Sequence, residues 1–467
     1  MPDLHSKNGT PGWLDTAAIS SALDRTGEPE SGVVKDVIAK SIALEPLGFD
    51  EITVLLRAKS GEARKLIAKS ADEVKQKVYG DRIVLTAPLH LSNHCASDCL
   101  YCSAHKGNAH VQRKRLDKAE IREAGRKLLR QGHKRLVLTS GQMDTTDVSY
   151  LAEAINILFR LFEGPGEIRR VNVNVGALGK EEFGELALAD PGGALIYQET
   201  YHQPSYEAAH KSGPKSDYLA RLLSPDVALS AGIKDVGLGL CLGLGPSDFD
   251  ILALSAHASH LARDFGVGSR NINLHRCRPA PGCGYNPPYA MNDADFLHCV
   301  AVTRLAIPYA GIILTTREPS GLWREACGTG CSQLLTGSLA NPYESWVEAP
   351  GEKTPFPIGE ETHLDEVVRF LLEDARHLPS FCTACPRLGR SGGEFISMVS
   401  QGDIKSQCGP NSLASFMEFL LNYATPYTRQ LGEKLINEKL EQMDEHERGA
   451  SERLLQKVRS GRMDEFI

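Results

Sequence analysis

Beyond residue 81 the apolar positions stop recurring at helical spacing and gather into short β-rich runs. The runs fall at 83–87, 135–139, 171–175, 194–198, 236–242, 271–276, 311–316 and 332–336. Between them lie amphipathic segments of helix length, such as 118–130, 150–162, 217–231, 249–264 and 293–307. Eight strand-length runs alternating with helices predict an α/β fold, a (β/α)8 TIM-type barrel or a partly open relative with parallel strands and right-handed crossovers. In such a barrel, functional side chains belong at the C-terminal ends of the strands.

The flanks read differently. Residues 1 to 32 mix Gly, Pro, Ser, Asp and Glu, with few large apolar groups before Ile19 and Leu23, and are expected to be loose. From 33 to 78 apolar positions return at helical spacing, as in Val54, Leu55, Ala58, Leu66 and Ile67, with a break at Gly61. After 341 the β pattern fades, and a Pro/Gly/Glu-rich linker at 350–361 leads to helices. One carries Leu364, Val367, Val368 and Leu371 on a single face; later ones carry Leu413, Phe416 and Leu420, then Leu431, Leu435 and Leu440. The expected division is therefore 1–80, a loose start and helical segment; 81–345, the barrel; and 346–467, a helical C-terminal domain.

Composition narrows the function. With 467 residues, 42% of them hydrophobic, the chain is long enough for a barrel with appendages. The net charge of -7 is spread in mixed sign, which argues against a nucleic-acid surface. No apolar run approaches 18 residues, and the N-terminal stretch lacks the make-up of a secretory signal, so a cytoplasmic protein with no membrane partner is expected. In a reducing compartment 12 cysteines are better used as metal ligands than as disulfides.

Two cysteine groups stand out. Cys95-Ala-Ser-Asp-Cys99-Leu-Tyr-Cys102 follows the first strand run as CX3CX2C. Thiolates suit iron–sulfur clusters or zinc, and three of them leave one metal position open for chemistry. A zinc knuckle short of one ligand is the plainer alternative. Cys382-Thr-Ala-Cys385 and Cys408 form a second set of three, CX2CX22C, which is either a second open centre or a zinc staple closed by a residue such as His377.

CX3CX2C after the first strand of a barrel, with an aromatic before the third cysteine, resembles the radical S-adenosylmethionine (SAM) enzymes. Together with CX2CX22C, it resembles the HydG family, the tyrosine lyases that mature FeFe-hydrogenase. The likeness extends from about 78 to 427 through Arg170-Val-Asn-Val-Asn174, Tyr197-Gln-Glu-Thr-Tyr-His202, Ser212-Gly-Pro-Lys-Ser-Asp-Tyr218 and Leu314-Thr-Thr-Arg-Glu318. The resemblance implies a 4Fe-4S cluster on Cys95, Cys99 and Cys102 that reduces SAM to a 5′-deoxyadenosyl radical. It implies a second cluster, with an extra iron, on Cys382, Cys385 and Cys408. It further implies cleavage of the Cα–Cβ bond of tyrosine to p-cresol and dehydroglycine, with carbon monoxide and cyanide passed to a metallocofactor. An electron-donor protein and other maturation proteins are the implied partners.

Residue roles follow from the same likeness. Tyr101, Gln142, Asn172, Glu199 and Arg221 are placed around SAM, and Thr315, Arg317 and Ser338 around an amino-acid substrate. On their own terms Glu199 and Arg221 equally suit a surface ion pair, Asn172 and Asn174 a structural amide network, and Arg317 a solvent-facing position.

Departures from the family pattern sharpen the expectations. Thr139-Ser-Gly-Gln142 ends in an amide where relatives often carry an acid, so SAM binding should survive in weakened form. Arg270 falls where a histidine ligates the extra iron, and a guanidinium cannot ligate. Cys327 or Cys331, in Cys327-Gly-Thr-Gly-Cys331, is a candidate replacement; His275, Cys277 and Cys283 lie nearer the catalytic end, and Cys241 and Cys299 read as core. Ser103-Ala104 and Leu339-Ala-Asn-Pro-Tyr also differ near the expected substrate. The alternatives are therefore a related enzyme acting on another amino acid, and a non-catalytic iron–sulfur scaffold.

Overall fold

One strand organises the molecule. In the computed structural model, which describes residues 10–142, 148–315, 318–336, 363–375, 377–401 and 404–467, β1 (Arg82–Ser92) is bonded along both edges. The other barrel strands are β2 (Arg135–Ser140), β3 (Arg170–Asn174), β4 (Gly193–Glu199), β5 (Val236–Leu242), β6 (Asn271–Arg276), β7 (Gly311–Leu314) and β8 (Gln333–Leu335). They pair in parallel in chain order, and β8 returns to β1 with Val84 opposite Gln333 and Thr86 opposite Leu335. The (β/α)8 barrel is thus closed, which removes the exposed edges an open sheet would present.

The β2 ladder on β1 begins only at Ala87. Below it a ninth strand, β9 (Leu378–Ser380), pairs with Arg82, Ile83 and Val84. A segment from the C-terminal third of the chain therefore belongs to the barrel sheet, and one continuous apolar core takes in residues from Leu14 to Val458.

Helices appear where apolar periodicity places them: Lys118–Arg130, Val148–Phe159, Tyr218–Ser230, Ser247–Phe265 and Asp293–Ala306, with two shorter ones, Lys180–Leu188 and Ser320–Cys327, completing the alternation. The first begins with a reciprocal cap. Asp117 accepts from the Glu120 amide, and the Glu120 carboxylate accepts from the Asp117 amide.

The N-terminal reading needs correction. Residues expected to be loose contain a helix, Thr16–Arg25, capped by Asp15 and burying Ile19 and Ala22. Trp13 stacks on His257 and His260 of the helix Ser247–Phe265, with ring centroids 4.5 and 4.8 Å apart. Three apolar groups suffice because a distant helix supplies the rest of the contact, and local pattern does not record that. The remaining N-terminal segment forms Ser31–Ile42, Phe49–Arg57 and Gly61–Tyr79, with Gly61 opening the last helix.

The C-terminal helices dock beside the start of β2. Phe381 stacks on Phe419 at 4.7 Å, and a Cβ at Gly132, whose φ is +96°, would lie 2.9 Å from Phe419 and Tyr423. Lys134 pairs with Glu418, both fully buried. The linker at 350–361 lies outside the described residues.

Candidate active site and a second thiol centre

The loop bearing Cys95, Cys99 and Cys102 leaves β1 at the C-terminal mouth and is clamped from two sides by backbone. On one side the Ala96 amide donates to Gln142 O (2.7 Å) and the Gly141 amide to Ser92 O (2.9 Å). On the other, Asp98 N donates to Ser212 O, Leu100 N to Ala209 O, and Lys215 N to Ser97 Oγ, all near 2.9–3.0 Å. The approach requires glycine in both clamps. A Cβ at Gly141 would lie 2.1 Å from His94 O, and one at Gly213 (φ +82°) 2.3 Å from Ala96 O. Sequence alone had assigned these glycines no role.

All three thiols line a cavity of about 400 Å³ in the barrel mouth, with Tyr101, Gln142, Asn174, Glu199, Lys215, Arg221, His275 and Thr315 among its walls. Burial pushes the Cys99 thiol up to about 12, as expected of a sulfur held from water; a bound metal would reverse that. Two buried acceptors on residues that line the cavity have no hydrogen-bond partner among the described residues: Gln142 Oε1 and Glu199 Oε2. Gly176 makes room for the Gln142 amide, since a Cβ there would lie 2.3 Å from Gln142 Cδ.

Glu199 sits at φ +70°, a conformation that costs a non-glycine residue about 1–2 kcal/mol. Burial alone would raise its carboxyl, but the Lys215 and Arg221 cations, with His275 beside them, prevail and hold it at about 2. Lys215 occupies Oε1, and Oε2 is buried without a partner among the described residues. Arg221, fully buried, is fixed by the carbonyls of Tyr197 (2.6 Å) and Val175 (2.9 Å).

Tyr101 is positioned by a relay. Burial holds His210 neutral by pushing it down to about 3, and its Nδ1–H donates to Tyr206 O at 2.7 Å. Nε2 is therefore the acceptor for the Tyr101 hydroxyl, 2.9 Å away. Thiols, two unfilled acceptors, a buried arginine and an aromatic beside the third cysteine fit a cluster with a zwitterionic, hydroxyl-bearing cofactor.

The remaining expected residues divide. Thr315 reaches the cavity, whereas Arg317 and Ser338 lie outside the described residues. Asn172 is not at the mouth. Its Oδ1 accepts from Arg170 Nε at 3.1 Å, deeper in the barrel, because two residues of strand separate it from Asn174 at the rim. Lys215 had no expected role and proves central; its clue was a lysine in a Ser-Gly-Pro-Lys turn after β4. Cys241, expected as core, has its sulfur within 4.8 Å of ligand atoms of both Glu199 and His275. Cys277 packs with Cys99 and Tyr101.

The second thiol group lies at the opposite, N-terminal end. β9 leads into Cys382 and Cys385, and the helix Ile404–Asn422 brings Cys408. Cys408 is drawn down by a hydrogen bond from Cys385 and by Arg82, while Cys385 is raised by the same bond. Three thiols from separate elements thus meet in one place. His377 does not join them: burial depresses it to about 4, and its charged neighbours are Lys75, Asp81 and Asp72. Cys327 and Cys331 do not stand in for the missing histidine either. They hydrogen-bond each other, and Cys331 Sγ also donates to Gln333 O at 3.1 Å. Arg270 lies over the Phe395 ring, 3.1 Å from its centroid.

A closed (β/α)8 barrel that presents CX3CX2C at its C-terminal mouth, beside unfilled acceptors for a zwitterion, defines a radical SAM enzyme. The Biotin and Thiamin Synthesis associated domain family matches residues 274–389. The crystal structure of HydG, a maturase of the [FeFe]-hydrogenase, superposes with a TM-score of 0.92 at 35% identity, covering 97% of this chain and 100% of that one. HydG from Carboxydothermus hydrogenoformans gives 0.81 at 31% identity, covering 94% and 97%. The 2-iminoacetate synthase of Salmonella typhimurium is 27% identical over 283 residues, 60% of this chain and 73% of its own. The chain belongs to the HydG family, and its activity is of the radical SAM lyase type.

Proposed function

We propose that the protein cleaves the Cα–Cβ bond of tyrosine, giving p-cresol and dehydroglycine, and that dehydroglycine leads to carbon monoxide and cyanide for a hydrogenase-type metallocofactor. The observation that carries this reading is the cavity in which Cys95, Cys99 and Cys102 face the unfilled acceptors of Gln142 and Glu199. Support also comes from relatives whose names are HydG maturase and 2-iminoacetate synthase.

When bound, a reduced 4Fe-4S cluster and SAM supply a 5′-deoxyadenosyl radical. The chain's residues do the rest. Cys95, Cys99 and Cys102 hold the cluster, and Gln142 Oε1 accepts from the SAM ammonium. Glu199 Oε2, kept anionic by Lys215, takes a further donor of the cofactor, and Arg221 fixes the strand ends that carry it. The barrel wall excludes water from the radical. Arg317, with the hydroxyls of Thr315 and Ser338, is assigned to the amino-acid carboxylate. Cys382, Cys385 and Cys408 are assigned to a second iron–sulfur cluster, with an electron-donor protein and other maturation proteins as partners in the cytoplasm. Among the described residues no helix is long and apolar enough to cross a membrane.

The test is anaerobic reconstitution followed by incubation with SAM, dithionite and tyrosine, with mass spectrometry of the products. The expected result is 5′-deoxyadenosine together with p-cresol. 5′-Deoxyadenosine without p-cresol would replace tyrosine by another substrate, and neither product would leave an iron–sulfur scaffold.

A further inference from the structure

Three neighbouring barrel strands carry potential metal ligands at their C-terminal ends. Glu199 closes β4, Cys241 is the last residue but one of β5, and His275 the last but one of β6. Cys241 and His275 stand directly opposite each other across the β5–β6 ladder. A carboxylate oxygen of Glu199, the Cys241 sulfur and one ring nitrogen of His275 lie within 4.8 Å of one another, and all three residues are buried.

Two further observations point to a ligand there. Glu199 is only 5% exposed, and its Oε2 has no partner among the described residues. His275 is held from behind. Asn273 Nδ2 donates to the Tyr197 hydroxyl at 2.9 Å, so Asn273 Oδ1 is the acceptor that meets His275 Nδ1, 3.1 Å away. Nδ1 therefore carries the proton and Nε2 the lone pair. An amide that fixes the tautomer of an imidazole is the kind of support metal-ligating histidines ordinarily have. Gly239 leaves room for the Tyr197 ring, since a Cβ there would lie 2.3 Å from its Cδ1.

We propose that Glu199, Cys241 and His275 form a site for one divalent cation of borderline softness, zinc or an ion like it, and that its occupation excludes SAM from Glu199. Oxygen, sulfur and nitrogen in one ligand set suit such an ion, whereas magnesium and calcium favour oxygen alone. Binding releases the Cys241 thiol proton to solvent, and three protein ligands leave a fourth position for water. The two ligand anions face Lys215, which bonds Glu199 Oε1, and Arg221. These cations weaken the site, so the ion is exchangeable rather than structural. Held at Oε2, it denies that oxygen to the cofactor. The antagonism rests on the proposed role of Glu199 in SAM binding; the metal site itself does not.

Equilibrium dialysis of the cluster-loaded protein against zinc, read by metal analysis, tests this. One saturable zinc per chain is expected, lost in Cys241→Ala and in His275→Gln, and bound roughly tenfold more weakly in Asn273→Ala. Zinc should raise the apparent Kd of the wild type for SAM, while Cys241→Ala binds SAM equally with and without zinc. Thiols of any molecule that has lost a cluster also take zinc, so wild type and variants are compared at equal iron content. Equal zinc in the wild type and in both ligand variants, or zinc uptake unmoved by saturating SAM, would overturn the proposal. Formation of 5′-deoxyadenosine and p-cresol by zinc-free protein is read separately, so a failure of the lyase reading is distinguishable from a failure of the metal site.

Discussion

The two ends of the barrel present three thiols each, but in opposite surroundings. At the mouth the cysteines sit on one short loop, clamped by backbone, and the unfilled groups beside them include two acceptors, Gln142 Oε1 and Glu199 Oε2. At the floor the cysteines come from β9's end and a distant helix, and the unfilled groups include a nitrogen on each of Arg82, Arg135, Arg170 and Arg270. The first set includes acceptors for a donor-bearing ligand, whereas the second is surrounded by four guanidiniums. Thiol count alone does not distinguish them; the hydrogen-bonding sense of the neighbours does.

The sharpest way to break this comparison is to remove one centre at a time. Cys99→Ser should abolish 5′-deoxyadenosine formation while leaving the floor's iron signal in electron paramagnetic resonance. Cys408→Ser should do the reverse, keeping 5′-deoxyadenosine within about threefold, because distant independent sites act nearly additively. Loss of both signals in either variant would show that the ends are not independent.

Next in size is a pH effect behind the mouth. Asp250 is fully buried against Thr200 and Tyr201, and burial pushes its carboxyl up to about 7, despite bonds from the Tyr201 amide and Thr200 hydroxyl. The folded state therefore holds a proton that the unfolded chain has lost. Stability present below about pH 4 should fall as pH rises towards 7, by up to about 4 kcal/mol. Asp250→Asn should flatten this slope in urea titrations between pH 4 and 7. An identical slope in the variant would assign it to another group. Glu199, one strand end away, runs the opposite way: held low by its cations, its contribution is lost only as pH falls from about 4.5 towards 2.

At the floor, Lys134→Ala strips the lysine partner from buried Glu418, leaving Arg169 at 3.5 Å and the Asp464 amide as partial compensation. A loss of about 3 kcal/mol is expected, read as a lower urea midpoint with the C-terminal helices released first in hydrogen exchange. The smallest effect should be a gain. Gln142→Glu places a charge where the unfilled amide oxygen stands and should tighten SAM binding by about 1 kcal/mol, roughly fivefold, measured by calorimetry. Unchanged affinity would remove Gln142 from the SAM site.

Much of this was legible in the chain because it depended on local pattern. The eight apolar runs, the helices between them and the place of Cys95, Cys99 and Cys102 follow from periodicity and spacing. The parts that were not legible depended on contacts between distant segments. Trp13, just before the helix Thr16–Arg25, stacks on a histidine pair more than 200 residues away. β9 joins the sheet across almost 300 residues. Asn172 faced the right way but at the wrong depth, since alternation gives the face of a strand and not the layer. The arginine floor was visible in part: Asp81-Arg82, Lys134-Arg135 and Arg169-Arg170 each stand just before an apolar run, a basic mark at the start of three successive strands.

Because β1 carries Arg82 at one end and hands on to Cys95 at the other, its length is shared by both centres. Deleting one residue from its middle would turn half of its side chains to the opposite face and shift one centre against the other. Surface loops away from the two centres can lengthen or shorten in descent with little consequence. β1 has no such freedom, and the chemistry at either end constrains how the other can evolve.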